Sequence, residues 1–191
     1  MKSGFFAFGF AAVFATLAHA QDVTLQATGD DDDLGDFLRD ASLSLSLGEE
    51  GTPAPQDYVA AARADYRRLL TALYAKGHYG GNISILVNGR EASGIAPLAA
   101  PGQINSIAIS VDPGPAFTFG AAGIAPLPNG VTPPDEYAAG EPALADSVRA
   151  AAVVGVTAWR DAGHAKADVA DQRITANHTA QTLDASVSLA P

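Results

Sequence analysis

The sequence predicts an α+β fold built from two tandem modules, each with the element order β-α-α-β-β. Three observations predict it: short segments of alternating apolar and polar residues, amphipathic helical segments between them, and a weak internal repeat. With 191 residues, the chain has room for one large domain or two small ones. Hydrophobic residues make up 48% and charged residues 17%, which provides enough apolar material for packed cores.

The first twenty residues are predicted to be a signal peptide. Lys2 gives a positive start, Phe5 to Leu17 form an apolar run of about 13 residues, and Ala18-His19-Ala20 ends in small residues. The run is shorter than the roughly 20 residues of a membrane-spanning helix. Cleavage would leave a mature chain that begins at Gln21, and an uncleaved membrane anchor is the alternative.

The chain is acidic and contains no cysteine. Its formal net charge is -10, and removal of Lys2 with the signal peptide would make it -11. Because no cluster of basic residues offsets this charge, nucleic acid and anionic lipid are poor partners. An exported chain without cysteine depends on its cores rather than on disulfides, which favours a bacterial periplasm.

The first predicted module has two helices between its first strand and its last two strands. The aspartates from Asp30 to Asp33 are interpreted as favouring a helix N-terminus, because the spaced ligands of a calcium loop are absent. Ser42 to Leu47 also alternates, which leaves a strand open there. The predicted elements are a strand over Val23–Ala27, helices over Asp33–Leu47 and from Gln56 to Gly77, and strands over Asn82–Val87 and Gln103–Val111, with a turn at Asn88-Gly89.

The second predicted module repeats this order, with its first helix short or missing. The two halves align at the helix end, where Ala75–His78 matches Asp161–His164, and at the closing strand, where Ile109–Pro113 matches Val187–Pro191. The predicted elements are a strand over Phe117–Ile124, a Pro- and Gly-rich segment over Pro126–Pro142, a helix over Leu144–Ala162, and strands near Ala167–Thr175 and Thr182–Leu189.

Two segments resemble the polypeptide-transport-associated (POTRA) repeats of the BamA/TamA superfamily. Leu69–Tyr79 looks like the family's second helix running into the next strand, with His78 in place of the first aromatic residue. Val111–Gly120 looks like the family's junction between one repeat and the next. Together with the repeated element order, the resemblance covers nearly all of the mature chain, and it is closer to the TamA branch.

The resemblance implies that each module is a small three-stranded mixed sheet packed on helices, with POTRA-like domains at 21–114 and 115–191. It implies a periplasmic polypeptide-binding scaffold of an outer-membrane protein or autotransporter assembly and translocation factor. The chain would then be the N-terminal part of a longer protein that is attached to the outer membrane by a C-terminal β-barrel. A two-partner secretion transporter and a soluble periplasmic ligand-binding module stay open as alternatives.

The expected partners are unfolded outer-membrane or autotransporter polypeptides, together with an inner-membrane-anchored protein that spans the periplasm. A free sheet edge binds such polypeptides by backbone pairing, in which an extended segment adds as a further strand. The family's use of this strand, and the polar Asn82 and Ser84, indicate the candidate edge. That edge comprises Asn82, Ile83, Ser84, Ile85, Leu86 and Val87.

No catalytic motif is recognisable in the sequence, which lacks a nucleophile elbow, a zinc-protease motif and a P-loop. We therefore expect no enzymatic activity, no cofactor and no metal. His78 and His164 occupy equivalent positions in the two modules and are interpreted as residues that follow helix ends. Trp159 is interpreted as a core residue.

Overall fold

The computed structural model describes residues 22–29, 31–49, 53–96 and 102–191, so the predicted signal peptide, residues 1–20, lies outside the described residues. The chain forms two successive units, each with its own sheet and core. The first unit consists of β1 (Asp22–Ala27), α1 (Asp32–Ala41), α2 (Leu43–Glu49), α3 (Pro55–Ala75), β2 (Asn82–Val87), β3 (Arg90–Glu91), one 3-10 turn (Ala92–Gly94) and β4 (Ser106–Asp112). The second unit consists of β5 (Thr118–Ala125), α4 (Ala145–Asp161), β6 (Asp168–Asn177) and β7 (Thr182–Ala190).

The two sheets share one topology. In the first, β4 lies between β1, to which it is parallel, and β2, to which it is antiparallel. In the second, β7 lies in the same way between a parallel β5 and an antiparallel β6. The predicted α+β class with two small mixed sheets on helices is therefore confirmed. The first sheet has one strand more than the predicted three, because the short β3 pairs with β2.

Each sheet turns alternate side chains toward its helices. In β4, Ile107, Ile109 and Val111 are buried, and they belong to one core with Leu38 of α1 and Leu73 of α3. The predicted boundary at 114–115 falls between β4 and β5, and the division into two domains there stays a prediction. The second core is separate and includes Phe117, Phe119, Tyr137, Val148, Leu183 and Val187.

A buried carboxylate from α3 divides the first predicted helix in two. Asp65 is fully buried and accepts hydrogen bonds from the Ser42 hydroxyl at 2.9 Å, the Leu43 N–H at 2.7 Å and the Ser44 N–H at 3.0 Å. These bonds satisfy donors at the start of α2 that a helix cannot pair within itself. The single helix predicted over 33–47 is therefore wrong in this respect, and the alternating segment is helical rather than a strand.

Both long helices end in the same glycine turn. Gly77 and Gly163 have φ angles of 81° and 100°, a backbone region in which a side chain is strained. The His78 N–H returns to the Leu73 carbonyl at 2.9 Å, and His164 makes the equivalent bond at 3.0 Å. The aligned helix ends are thus a repeated turn. None of the helices in the described segments is both long and apolar enough to cross a membrane.

A loop takes the place of the first helix in the second unit. Tyr137 anchors it, because this side chain is buried and its hydroxyl donates to the Gly123 and Ala185 carbonyls, both at 3.0 Å. Its ring meets Phe119 edge-on, with 5.3 Å between the ring centroids. One aromatic side chain therefore fills part of the core that a helix would otherwise cover.

The two units are in close contact where α3 ends and β5 begins. The Phe117 N–H donates to the Gly77 carbonyl at 2.9 Å, and the Tyr79 hydroxyl donates to the Ala143 carbonyl at 2.9 Å. The Tyr79 ring also stacks on Tyr74 at 4.9 Å and contacts Phe117 at 5.7 Å between centroids. Backbone and aromatic contacts thus set the position of the second unit on the first.

We predict that removal of the buried Asp65 carboxylate and removal of the buried Ser44 hydroxyl, which both lie at the start of α2 in space, change the stability of the fold in opposite directions. Asp65→Ala leaves three donors without their acceptor and should lower the free energy of unfolding by about 2–4 kcal/mol. Ser44→Ala should be neutral or stabilise by up to about 1 kcal/mol, because the buried Ser44 hydroxyl has no partner among the described residues. Chemical denaturation measures both changes. Equal destabilisation by the two substitutions would contradict the role given to Asp65.

Candidate functional site

β6 is an edge strand of ten residues, Asp168–Asn177. β7 pairs with one side of it, and no described strand pairs with the other side. Nine of the ten residues are exposed, and Ala176 is intermediate. Val169 and Ile174 are large apolar side chains with exposed fractions of 36% and 40%. The second sheet therefore offers a long, partly apolar edge whose backbone is open to a further strand.

Alternate residues of β6 direct their backbone groups away from the sheet. The Thr118 N–H of β5 donates to the carbonyl of Gln181, the residue directly before β7. Because backbone groups alternate in direction along a strand, the odd-numbered residues of β7 form hydrogen bonds with β5 and the even-numbered residues form them with β6. Those even-numbered residues lie opposite odd-numbered residues of β6 between 171 and 177. Gln172, Ile174 and Ala176 are therefore left with N–H and C=O groups that point outward.

A groove of about 560 Å³ runs between this edge and α4. The α4 side is apolar in its middle, where Ala152 and Val156 are half-buried and Val153 is 58% exposed. Arg149 and Arg160 lie about three helical turns apart on the same face and mark its two ends. A strand added to β6 would place every second side chain in this groove.

A second cavity, of about 430 Å³, continues the groove toward the first unit. It shares Gln172 with the groove, and Ile174 and His178 line it on the β6 side. Tyr74 and Tyr79 of the first unit line it from the other side. The groove is thus bounded at one end by aromatic side chains from the neighbouring unit.

The predicted edge strand has the predicted bounds, Asn82–Val87, but it is not the last strand of its sheet. β3 pairs with Leu86 and Val87, and the outward Ile85 N–H donates to a carboxylate oxygen of Glu91 at 3.2 Å. By the alternation of the strand, Ile83 also faces outward, and no described strand pairs with its backbone on that side. Polypeptide binding at this edge stays a prediction. The six side chains range from buried (Ile85, Val87) through half-buried (Ile83, Ser84, Leu86) to exposed (Asn82).

Glu91 covers the middle of the β2 edge. Besides the Ile85 N–H, its carboxylate accepts the Tyr66 hydroxyl and, at 2.9 Å, the Ser84 hydroxyl. The hydrogen bond from Tyr66, followed by those from Ile85 and Ser84, holds the pKa of Glu91 below its ordinary value of 4.5. The carboxylate therefore stays charged, and remains a strong acceptor, throughout the neutral and mildly acidic range.

Sequence reasoning did not single out β6, its groove or Glu91. The segment near 167–175 gave only a weak strand signal, and its position at a sheet edge depends on strand order, which periodicity does not give. The internal repeat is the signal that could have found β6. This strand has the same position in the second sheet that β2 has in the first.

His78 and His164 lie at the equivalent positions that the repeat predicts, and Trp159, interpreted as a core residue, packs against the second core. His78 and His164 follow helix ends in separate units. Trp159 is half-buried, its ring meets His164 edge-on, and its indole N–H donates to the Pro126 carbonyl at 2.8 Å. Within residues 22–29, 31–49, 53–96 and 102–191, no three His, Asp or Glu side chains form a cluster that could hold a metal ion.

The solved structures that are similar to this chain include two at 10% sequence identity. One contains POTRA domains 3–5 of BamA from Haemophilus influenzae; the match has a TM-score of 0.48 and covers 90% of this chain and 65% of that one. The other contains POTRA domains 1–2 of the periplasmic domain of Omp85 from Anabaena; its TM-score is 0.43, with 90% and 93% covered. No protein-family model and no curated protein sequence matches the chain.

We predict that Tyr79, whose hydroxyl links the two units, ionises unusually late. Burial, with a smaller effect from Tyr74, raises its pKa from 10.0 to about 12. Because the folded-state pKa is raised, the neutral phenol favours the folded state up to about pH 10, and this contribution is lost as the pH rises through 12. The difference in phenolate absorbance between the wild type and Tyr79→Phe should have a midpoint near 12. A midpoint near 10 would show that the phenol is not buried between the units.

Proposed function

We propose that this chain is a periplasmic polypeptide-binding scaffold that belongs to an outer-membrane protein or autotransporter assembly and translocation factor. It binds unfolded polypeptides by strand addition and carries out no chemical reaction. The observation that supports this proposal best is β6, a ten-residue strand that is paired on one side only within the described residues. Such an edge is a template for another chain.

The groove beside β6 supports strand addition because it gives the added segment a place for its side chains. At about 3.3 Å per residue, ten residues of strand extend for roughly 33 Å. Backbone pairing over this length depends little on the sequence of the client. The apolar middle of the groove, around Val153 and Val156, favours clients that carry apolar side chains at alternate positions, as strands of membrane barrels do.

The edge predicted from the sequence, Asn82 to Val87, is proposed as a second binding edge. Its open part is shorter, since β3 and Glu91 cover the stretch from Ile85 to Val87. Of its outward-facing residues, Ile83 is the one that can pair without displacing a described contact. This edge is therefore proposed to act after β6 or together with it.

The TamA-like branch, rather than a two-partner secretion transporter, is proposed on the resemblance of Leu69–Tyr79 and Val111–Gly120 noted in the sequence. The proposed setting includes an inner-membrane-anchored partner and a membrane barrel in the same protein. The net charge of -10 agrees with a polypeptide client rather than with nucleic acid.

A soluble ligand-binding module is the second candidate function, and the second cavity, which residues of both units line, favours it. Its volume of about 430 Å³ lies within the range of small-molecule sites, and Tyr74, Ile174 and Leu183 give it apolar walls. Such a ligand would compete with a polypeptide only at one end of the groove. A small molecule that binds in this cavity without displacing a bound peptide would therefore show that ligand binding and polypeptide binding are separate functions.

We predict that proline at the centre of β6 abolishes strand addition while the fold persists. Ile174→Pro removes one outward N–H and no ladder bond, whereas the matched control Ile174→Ala removes the side chain and keeps that N–H. With a fluorescent peptide of about ten residues copied from a porin strand, fluorescence anisotropy should show binding at least about tenfold weaker for Pro than for Ala. Ile83→Pro tests the β2 edge in the same assay.

The denaturation midpoint of each variant checks that the fold is intact. Equal binding by Ile174→Pro and Ile174→Ala, with both proteins folded, would contradict strand addition at β6. A loss of binding that occurs only in Ile83→Pro would move the proposed site to the first sheet.

A further inference from the structure

The two sheet edges are closed to different degrees. At β2, the Glu91 carboxylate accepts a hydrogen bond from the outward N–H of Ile85. At β6, no described side chain bonds to the outward backbone groups between 172 and 176. The one comparable contact lies at the start of that strand, where the Asp168 carboxylate accepts the N–H of its neighbour Val169 at 2.8 Å. The second sheet therefore keeps an open edge where the first has a covered one.

The chain before Glu91 is fixed in place. The hairpin turns at Asn88 and Gly89, whose φ angles of 48° and 76° suit a tight two-residue turn. The Asn88 side chain accepts the backbone N–H groups of Asn105 at 2.8 Å and Ser106 at 3.1 Å. The hairpin is thus tied to the start of β4, which leaves β3 little freedom to move away from β2.

The chain after Glu91 is fixed as well. One guanidinium nitrogen of Arg63 donates to the carbonyls of Ala92 at 3.2 Å, Ser93 at 3.0 Å and Ile95 at 2.6 Å. Ala92 is fully buried. Because the chain is held on both sides of Glu91, little backbone freedom is lost when its carboxylate bonds to β2. The position of the carboxylate over the edge is therefore preorganised.

The Glu91 carboxylate takes the place of a partner strand. It accepts one backbone N–H, from Ile85, and two hydroxyls, from Ser84 and Tyr66. A polypeptide that added to β2 would need the same Ile85 N–H for its own ladder. Addition along the whole of β2 therefore requires that the carboxylate move. Charged side chains at strand edges are a general means of preventing unwanted pairing.

We propose that Glu91 is a latch that closes the middle of the first sheet's edge, so that β6 accepts the polypeptide first and β2 pairs along its whole length only when this carboxylate is displaced. The inference rests on the function proposed above, because it concerns the regulation of strand addition. It predicts that the two units act unequally and in sequence, although their sheets share one topology.

The test places a photo-cross-linking residue, p-benzoylphenylalanine, at exposed positions beside each edge: Asn82 on β2 or Thr175 on β6. The whole chain is used in three backgrounds: wild type, Glu91→Ala and the control Glu136→Ala, which removes an exposed carboxylate elsewhere. The probe is the fluorescent porin-strand peptide of about ten residues. Covalent labelling after illumination reports which edge the probe occupies.

The expected labelling of wild type and of Glu136→Ala is strong from Thr175 and at least about tenfold weaker from Asn82. Glu91→Ala should raise labelling from Asn82 about tenfold and leave labelling from Thr175 unchanged. Labelling from Asn82 that is the same with and without Glu91, while Thr175 is labelled, would overturn the latch alone. No labelling from either position in any background would overturn the proposed function together with the latch.

A second variant and a second measurement guard against unfolding. Glu91→Gln has one side-chain oxygen instead of two. It can accept the Ile85 N–H, but it has no second oxygen for the Ser84 hydroxyl, so its labelling from Asn82 should be intermediate. Native-state hydrogen exchange of the Ile85 amide, without any probe, should be faster in Glu91→Ala than in wild type. An unchanged exchange rate in the folded variant would show that Glu91 does not cover this edge.

Discussion

Backbone hydrogen bonding at the sheet edges is the constraint on which this structure depends. A sheet of three or four strands leaves outward N–H and C=O groups on its last strands, and each needs a partner or water. In the second sheet, the outer side of β5 is partly covered, since Phe119 exchanges backbone hydrogen bonds with Gly140 at 2.7 Å and Glu141 at 2.8 Å. The opposite side, β6, has no such cover over its central residues from any described part of the chain. The apolar groove beside it and the exposed Ile174 are consistent with an edge that is kept open for another chain.

The two units share one sheet topology, but the outward backbone groups of the edge strand are covered in the first unit and open in the second. Both units place a parallel strand, a central strand and an antiparallel edge strand in the same order, and both end the preceding helix in the same glycine turn. The first unit then adds a hairpin whose Glu91 covers its edge, whereas the second passes directly from β6 into β7. Contacts of Tyr79 and Phe117 hold the units together. The second cavity, which Tyr74 and Tyr79 line, therefore lies at the end of the open β6 edge. The difference between the two sheet edges therefore lies in a few residues after β2, because the strands that the two sheets share have the same order in both.

Local patterns in the sequence were enough to predict most elements, because period and turn chemistry act over short distances. Asn82–Val87 alternates cleanly, Asn88-Gly89 fixes a turn, and Gly77 and Gly163 end helices, so these were predicted with correct bounds or nearly so. The break at Ser42 was missed because its cause, Asp65, lies 23 residues further along the chain. The two-residue β3 is too short to show a period. The order of strands, and with it the open edge of β6, depends on tertiary pairing, and the candidate edge in the first unit came from a family resemblance rather than from the residues alone.

The central claim is that the outward backbone groups of β6 are free and become paired when a polypeptide binds. Hydrogen exchange of adjacent amides tests it most directly, because Ile174 points outward and Thr175 points toward β7. In the free protein, the Ile174 amide should exchange much faster than the Thr175 amide, and a saturating porin-strand peptide should slow Ile174 to a similar rate. Equal protection of the two amides in the free protein, or an Ile174 rate that does not change when the peptide is bound, would contradict the account.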